Sequence, residues 1–156
     1  MLAAGAALLL LATCGGSHSS SGRGISVPAK VLHGTNNATA VFVPVTINGH
    51  GPYLFAIDTG ASKTVVDAAL ASRLGLPDEG PVVGGITGVA STTPATRVQL
   101  SHWAVGGHSL APDTAVAIKL PQHKAGGGLD GLLGSDELSK YHAVQINYSA
   151  QTVTFK

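Results

Sequence analysis

The most constraining feature of the sequence is a pair of apolar segments that meet at a turn and end in an acid. Apolar residues stand at every second position from 41 to 47, which is the period of a strand with one buried face. Residues 48–51, NGHG, predict a turn, and residues 53–57 predict a second strand that ends at Asp58. Pro44 has no amide N–H and favours an edge position for the first strand. The chain is therefore expected to form a sheet in which a carboxylate directly follows a buried strand.

The rest of the chain predicts an all-β fold with one or two short helices. Asp67 is placed to cap a short helix over residues 68–74, and Gly75 to end it. The segment 128–134, GLDGLLG, is expected to be a buried strand that enters a second helix capped by Ser135. Other short strands are expected at 64–66, 96–100, 103–105, 114–118, 143–148 and 152–155.

Composition and charge indicate one globular domain without a metal or cofactor. Of the 156 residues, 44% are hydrophobic and 11% charged, and the formal net charge is +1, so no basic stripe is present that could follow nucleic acid. Cys14 is the single cysteine and no HExxH occurs, which excludes the common zinc patterns. His102 and His108 flank Trp103 in a predicted hairpin and are interpreted as surface residues. GASKT at 60–64 lacks the glycine that a phosphate loop needs before its lysine.

The amino-terminal segment predicts export. Residues 1–13 form an apolar run that is too short for a membrane span and suits a secretory signal. Residues 11–15, LATCG, resemble the lipobox of bacterial lipoproteins, in which Cys14 would be lipidated, although Thr13 stands where a smaller residue is usual. We expect a signal in 1–14, a flexible tether in 15–37 and a domain in 38–156. The expected location is the outer face of a bacterial cytoplasmic membrane, with a lipid anchor as the only membrane contact; plain secretion after cleavage is the alternative.

The motif at the end of the second strand carries the candidate chemistry. Residues 53–62 read YLFAIDTGAS. A carboxylate at Asp58 would lie in a low-dielectric environment, where its pKa can shift. Thr59 offers a hydroxyl that can bond across a two-fold axis, Gly60 lets backbone N–H groups approach the acid, and Ser62 can bond the outer carboxylate oxygen.

With these residues the sequence resembles the retropepsin family of aspartic proteases over about residues 38–155. The order is a hairpin, DTGAS, a helix, a glycine-rich flap at 83–89, and LDGLLG at 129–134. The resemblance implies a closed, barrel-like acid protease fold with a single lobe, in which Leu132 and Leu133 pack behind the catalytic loop. Asp130 has no catalytic part in it and is interpreted as a structural acid at a turn. Because the chain holds one DTG, the resemblance implies a homodimer.

The resemblance also implies an aspartic endopeptidase that acts on peptide or protein substrates. Its catalytic residues would be Asp58, Thr59 and Gly60, and its substrate-binding residues would be Ala61, Ser62, Gly84, Gly85, Ile86, Thr87 and Gly88. The glycines of the last group predict a flap that closes over the peptide, and an ordinary surface hairpin is the alternative. Two other functions stay open: a dimeric peptide-binding module of the cell envelope with weak or no catalysis, and a plain all-β lipoprotein.

Overall fold

The computed structural model describes residues 24–34, 38–82, 94–121 and 128–156. The predicted signal, Cys14 and the first part of the tether lie outside the described residues. The residues of the predicted flap, Gly84 to Gly88, also lie outside the described residues. These stay predictions; for Cys14, the mass of the amino-terminal peptide of the exported protein would test lipidation. No helix within the described ranges is long and apolar enough to cross a bilayer.

The described residues form two sheets and two short helices. In chain order the elements are β1 (Ile25–Pro28), β2 (Lys30–His33), β3 (Thr39–Ile47), β4 (His50–Ile57), β5 (Val65–Asp67), α1 (Ala68–Arg73), β6 (Asp78–Pro81), β7 (Thr96–Leu100), β8 (Trp103–Val105), β9 (His108–Leu110), β10 (Asp113–Ile118), β11 (Gly131–Leu133), α2 (Ser135–Leu138), β12 (Val144–Asn147) and β13 (Thr152–Phe155). The mostly β fold with two short helices is confirmed.

The predicted hairpin forms the middle of the large sheet. The odd-numbered residues of β3 from Val41 to Ile47 are at most 5% exposed, as their alternation predicts. Asn48 and Gly49 both have positive φ (52° and 77°), as in the two-residue turn that matches the twist of antiparallel strands. Phe55 of β4 is fully buried. The hairpin therefore anchors the core and holds the strand that leads to Asp58.

The predicted edge position of Pro44 is wrong, because β3 has neighbours on both sides. β4 pairs with one side, and the other side pairs first with β2 and then with β8. Pro44 stands between these two pairings, and its carbonyl accepts a hydrogen bond from Gly106 N at 2.8 Å. The missing N–H thus falls where one neighbouring strand ends and the next begins.

The sheets are open, so the predicted closure into a barrel is not found in the described part of the chain. The large sheet has the order β6-β7-β10-β5-β11-β4-β3-β8-β9, with β2 beside β3, and β1-β13-β12 form a separate small sheet. No pairing joins β6 to β9 among the described residues. Closure depends on contacts between the two ends of the strand order, which no local sequence pattern specifies.

The tether ends earlier than predicted. Residues 25–28 form β1, which pairs with β13, and residues 30–33 form β2, which pairs with β3. Val27 is 1% exposed and lies in the main core. The folded domain therefore begins by residue 25 and not at 38.

Each helix is capped by the residue at the end of the preceding strand or directly after it. Asp67 caps α1 by accepting hydrogen bonds from Ala69 N and Leu70 N, and Gly75 follows with φ of 58°, so this prediction is confirmed. The predicted cap of α2 is wrong: Gly134 occupies the cap position and Ser135 is the first helical residue. The Ser135 hydroxyl bonds to the loop that follows Asp58.

Candidate active site

Asp58 lies where three strands meet. β11 runs parallel to β4 and antiparallel to β5, so it crosses between the strand before Asp58 and the strand after its loop. Leu133 is fully buried, and its carbonyl accepts a hydrogen bond from Asp58 N at 3.0 Å. Leu133 thus lies behind the loop, as the sequence resemblance implied, whereas Leu132 is half-buried and packs against the smaller core cluster that contains Val65.

The Asp58 carboxylate is held by backbone N–H groups of its own loop. Its Oδ1 accepts hydrogen bonds from Gly60 N at 2.9 Å and from Ala61 N at 3.1 Å. A Cβ at position 60 would lie 3.3 Å from Oδ1, which accounts for glycine there. Because one oxygen is bound by the loop, the side chain is oriented before any substrate arrives.

The other loop residues divide into a buried and an exposed set. Ala61 is 2% exposed and anchors the loop. Thr59 and Ser62 are exposed, so the Thr59 hydroxyl is accessible to a second copy. The predicted bond from Ser62 to Asp58 is absent from the described hydrogen bonds, in which only backbone N–H groups bind this carboxylate. Ser62 instead lines a cavity beside the loop.

A polar network that the sequence did not predict ties the loop after Asp58 to α2. Ala61 O accepts hydrogen bonds from Ser135 N at 2.8 Å and from Ser135 Oγ at 3.0 Å. The Asp136 carboxylate accepts from Thr64 N at 3.0 Å and from Thr64 Oγ1 at 2.9 Å. Thr64 is 3% exposed, and its hydroxyl oxygen also accepts from Gly134 N at 3.2 Å. The signal for this network is an acid in the first turn of α2, where it also bonds Glu137 N.

A second acid near the site, Asp130, has structural contacts. Asp130 Oδ2 accepts from Leu54 N at 2.9 Å, and Asp130 N donates to Leu54 O at 3.1 Å, so this residue fastens the start of β11 to β4. Asp130 O also accepts a hydrogen bond from the backbone N–H of Asp67, the last residue of β5, at 2.8 Å. The interpretation of Asp130 as a structural acid agrees with these bonds.

A charged triad fastens α2 to the sheet. Lys140 Nζ lies 2.6 Å from Asp113 Oδ2 and 2.6 Å from Glu137 Oε2. Partial burial by itself would lower the pKa of the Lys140 ammonium, but the hydrogen bonds to both carboxylates outweigh it and raise that pKa to about 12. Partial burial would likewise raise the pKa of Asp113, but the bonds from Lys140 and Thr114 N lower it. The triad steadies the helix that contacts the loop after Asp58.

Substitution of Gly134 tests how closely the backbone after β11 must pack against the backbone of residues 63 and 64. An added Cβ would lie 2.7 Å from Thr64 N and closer still to the Lys63 carbonyl group, and backbone atoms cannot move aside as a side chain can. We expect Gly134→Ala to lower the free energy of unfolding by about 1–3 kcal/mol, the usual cost of overpacking. Urea unfolding measures this.

The matched control for that substitution is Gly34→Ala. An added Cβ there meets Ala38 Cβ and Ala38 O at 3.7 Å, which is ordinary contact. We expect its stability to lie within about 0.5 kcal/mol of wild type. Equal stabilities of Gly134→Ala and wild type would contradict the close packing of loop and strand.

One face of the large sheet carries Asp58 and two cavities. Ala56 alternates with Phe55 along β4 and shares its face with Asp58, two residues further on. One cavity, of about 620 Å³, lies beside this strand and has a largely apolar lining that includes Phe42, Leu54 and Ala56. The other, of about 500 Å³, lies beside Ser62. The face that carries Asp58 thus has one cavity beside β4 and another beside Ser62.

The fold and the site together define a single-lobe acid protease domain: an open β fold in which a crossing strand supports a DTG loop. The family model described as Aspartyl protease matches residues 43–136, so the chain belongs to this family. No curated protein sequence matches the chain.

The solved structures that share the fold include two proteins of the retroviral protease type. A retropepsin-like aspartic protease from Rickettsia conorii is 15% identical, with a TM-score of 0.53 over 84% of this chain and 89% of that chain. The retroviral protease-like domain of Ddi1 from Leishmania major is 19% identical, with a TM-score of 0.53 over 74% of this chain and 86% of that chain. At these identities the likeness shows a retropepsin-like fold.

Proposed function

We propose that the protein is an aspartic endopeptidase whose active site forms when two copies pair. The observation that carries this proposal is the geometry of Asp58: Oδ1 is bound by two loop N–H groups, and the acid stands half-buried at the end of a core strand. A carboxylate that is oriented, partly desolvated and still reachable by solvent suits acid–base chemistry. The family and the fold support the same reaction.

A second copy supplies the second acid. The sequence holds one DTG, and the other acids near the loop already serve the fold: Asp130 binds β4, and Asp136 binds Thr64. The exposed Thr59 hydroxyl is available to bond the other copy across a two-fold axis. The pair of Asp58 side chains then shares one proton, because two carboxylates a few ångströms apart do not both ionise easily.

The reaction uses a water molecule and forms no acyl-enzyme. The unprotonated Asp58 takes a proton from water, and the water oxygen forms a bond to the peptide carbonyl carbon. The protonated Asp58 of the other copy gives its proton to the carbonyl oxygen. When the tetrahedral intermediate collapses, one of its two hydroxyl groups returns a proton to the dyad, the C–N bond breaks and the nitrogen receives a proton from the dyad, which leaves one shared proton as before.

Pairing and occupancy of the cleft are expected to be linked. A statine-type peptide, whose hydroxyl resembles the tetrahedral intermediate, binds the site that both copies build and so favours the dimer by mass action. We expect the weight-average mass in dilute solution to rise from near one chain towards two chains when this peptide is added. Sedimentation equilibrium measures this.

The control for that measurement is the same peptide without the statine hydroxyl. It is expected to shift the mass less at equal concentration, because it lacks the group that the dyad binds. Tight binding of the statine peptide to a chain that stays monomeric would contradict a shared active site.

A further inference from the structure

The cavity beside the catalytic loop has a charged rim. It has a volume of about 500 Å³ and opens next to Ser62, which follows the DTGA segment directly. Its lining consists of Ser62, Lys63, Glu79, Val82, Arg97, Thr114 and Val116. Two cations and one carboxylate therefore surround a space that could hold a side chain of a bound peptide.

Strand register shows that this cavity lies on the same face of the sheet as Asp58. Residues directly opposite each other on neighbouring strands point to the same face. Such pairs form one line across five strands: Ala56 with Leu132, Leu132 with Val65, Val65 with Val116, and Val116 with Arg97. Val65 and Val116 on this line are at most 4% exposed, so a peptide lying over the acid reaches the cavity past Ser62 in the loop, where the cavity opens.

The spacing of the strands sets which part of the peptide reaches the cavity. Neighbouring strands lie about 4.8 Å apart, so the three steps from Ala56 to Val116 span roughly 14 Å. An extended peptide advances about 3.3 Å per residue. The side chain that enters the cavity thus lies on the order of three to five residues from the scissile bond.

The two cations keep exposed donor groups, and the charge of Lys63 also contributes to the lowered pKa of Asp113. Lys63 is 53% exposed, and its ammonium lies 3.9 Å from Asp136 Oδ2, an acid already bound by Thr64. Arg97 is exposed and donates from Nη2 to the backbone carbonyl of Glu79 at 2.8 Å. A guanidinium has five N–H donors, so Arg97 can bind a carboxylate as well.

The remaining lining favours an acid with an apolar stem. Val116 is 4% exposed and Val82 is half-buried, and both provide apolar surface. The one carboxylate, of Glu79, accepts a hydrogen bond from Thr114 Oγ1 at 3.0 Å. Glutamate has methylene groups that can pack on the valines and a carboxylate that can reach the cationic rim.

We infer that this cavity selects peptide substrates with an acidic side chain three to five residues from the cleaved bond, through Lys63 and Arg97. The inference rests on the proposed function, because it assigns part of the substrate of that same site. In a two-fold symmetric dimer the cavity occurs twice, once on each side of the scissile bond. The preference is therefore expected on both sides, at the same distance.

Matched peptides test this inference. They share one cleavable core and carry Glu, Gln or Lys at one position, three to five residues to either side of the bond. We expect kcat/KM for Glu to exceed that for Gln by about 3- to 30-fold at one distance, with Lys lowest, as for a partly exposed charged pair. The Glu/Gln ratio is expected to fall as salt is raised.

Two variants and a control locate the effect. Lys63→Gln and Arg97→Gln are each expected to bring the Glu/Gln ratio closer to 1. Arg73→Gln removes an equal charge from the exposed last turn of α1, so its ratio is expected to stay at the wild-type value. An equal fall in all three variants would assign the preference to overall charge and overturn the inference.

Binding measurements distinguish a failure of this inference from a failure of the proposed function. The Asp58→Asn protein is titrated with the same peptides, and the ratio of dissociation constants for Gln and Glu is measured by calorimetry. A wild-type protein that cleaves no peptide but prefers Glu in binding would overturn the proposed function and support the acidic preference. Cleavage or binding with a Glu/Gln ratio near 1 at every position, or no binding of any peptide, would overturn the preference.

Discussion

Asp58→Asn is expected to reduce kcat/KM for peptide cleavage by at least about 10³-fold. The amide cannot take a proton from water or hold the proton that the two acids share, so both acid–base steps fail in the dimer. The substitution preserves shape, and the amide oxygen can still accept hydrogen bonds from Gly60 N and Ala61 N. Cleavage of denatured protein and of a peptide library between pH 3 and 7 measures the loss, with urea unfolding to verify the fold.

Asp78→Asn is the matched control for that experiment. Asp78 Oδ1 accepts a hydrogen bond from Gly80 N at 2.6 Å, the same two-residue arrangement that Asp58 makes with Gly60. It lies on β6, an end strand of the large sheet, and is exposed. Its activity is expected to equal that of wild type.

Retained cleavage by Asp58→Asn would contradict the proposed reaction. Absence of cleavage by the wild-type dimer across the whole pH range would instead favour the peptide-binding module. In that case a statine-type peptide should bind no more tightly than its analogue without the hydroxyl, because no working dyad recognises it.

Asp67→Ala is expected to cause the largest loss of stability, about 3 kcal/mol or more in the free energy of unfolding. Asp67 is 7% exposed and serves three backbone amides: Oδ1 accepts from Ala69 N and Leu70 N, and Oδ2 accepts from Leu120 N at 3.1 Å. Alanine removes a helix cap and leaves buried N–H groups without a partner. Urea unfolding followed by circular dichroism measures the change.

Two further substitutions define the origin of that loss. Asp67→Asn keeps an acceptor for the helix amides but places an NH2 group opposite Leu120 N, so we expect an intermediate loss of about 1–2 kcal/mol. Asp78→Ala removes an exposed carboxylate with one bond and is expected to cost less than about 1 kcal/mol. Equal losses for Asp67→Ala and Asp78→Ala would contradict the structural role of Asp67.

Local sequence signals predicted the elements that local chemistry determines. The alternation in 41–47 and the cap of α1 at Asp67 follow from residues within a few positions of each other, and both are confirmed. The turn predicted over 48–51 is confined to Asn48 and Gly49, because β4 begins at His50, and α1 ends one residue before its predicted limit. The strands at 96–100 and 103–105 were also predicted at their observed limits. These signals work because backbone dihedral preferences and capping bonds involve near neighbours.

The sequence predictions failed where a strand depends on a distant partner. β1 was placed in the tether, yet it is held by β13, more than a hundred residues later. β6 and β9 are short edge strands with weak patterns of their own, and neither was predicted. Ser135 fits a helix cap by residue type, but its hydroxyl is used by Ala61 O instead. In each case a long-range contact decided the outcome.

The amino-acid sequence by itself determined that one carboxylate follows a buried strand within a DTGAS loop, because apolar alternation and a glycine turn act over a few residues. Only the tertiary structure decided which groups support and surround that acid. Asp136 binds Thr64 from 72 positions away, and Arg97 reaches the face of Asp58 through the register of three intervening strands. Such neighbours are set by strand pairing and packing, which depend on the whole fold.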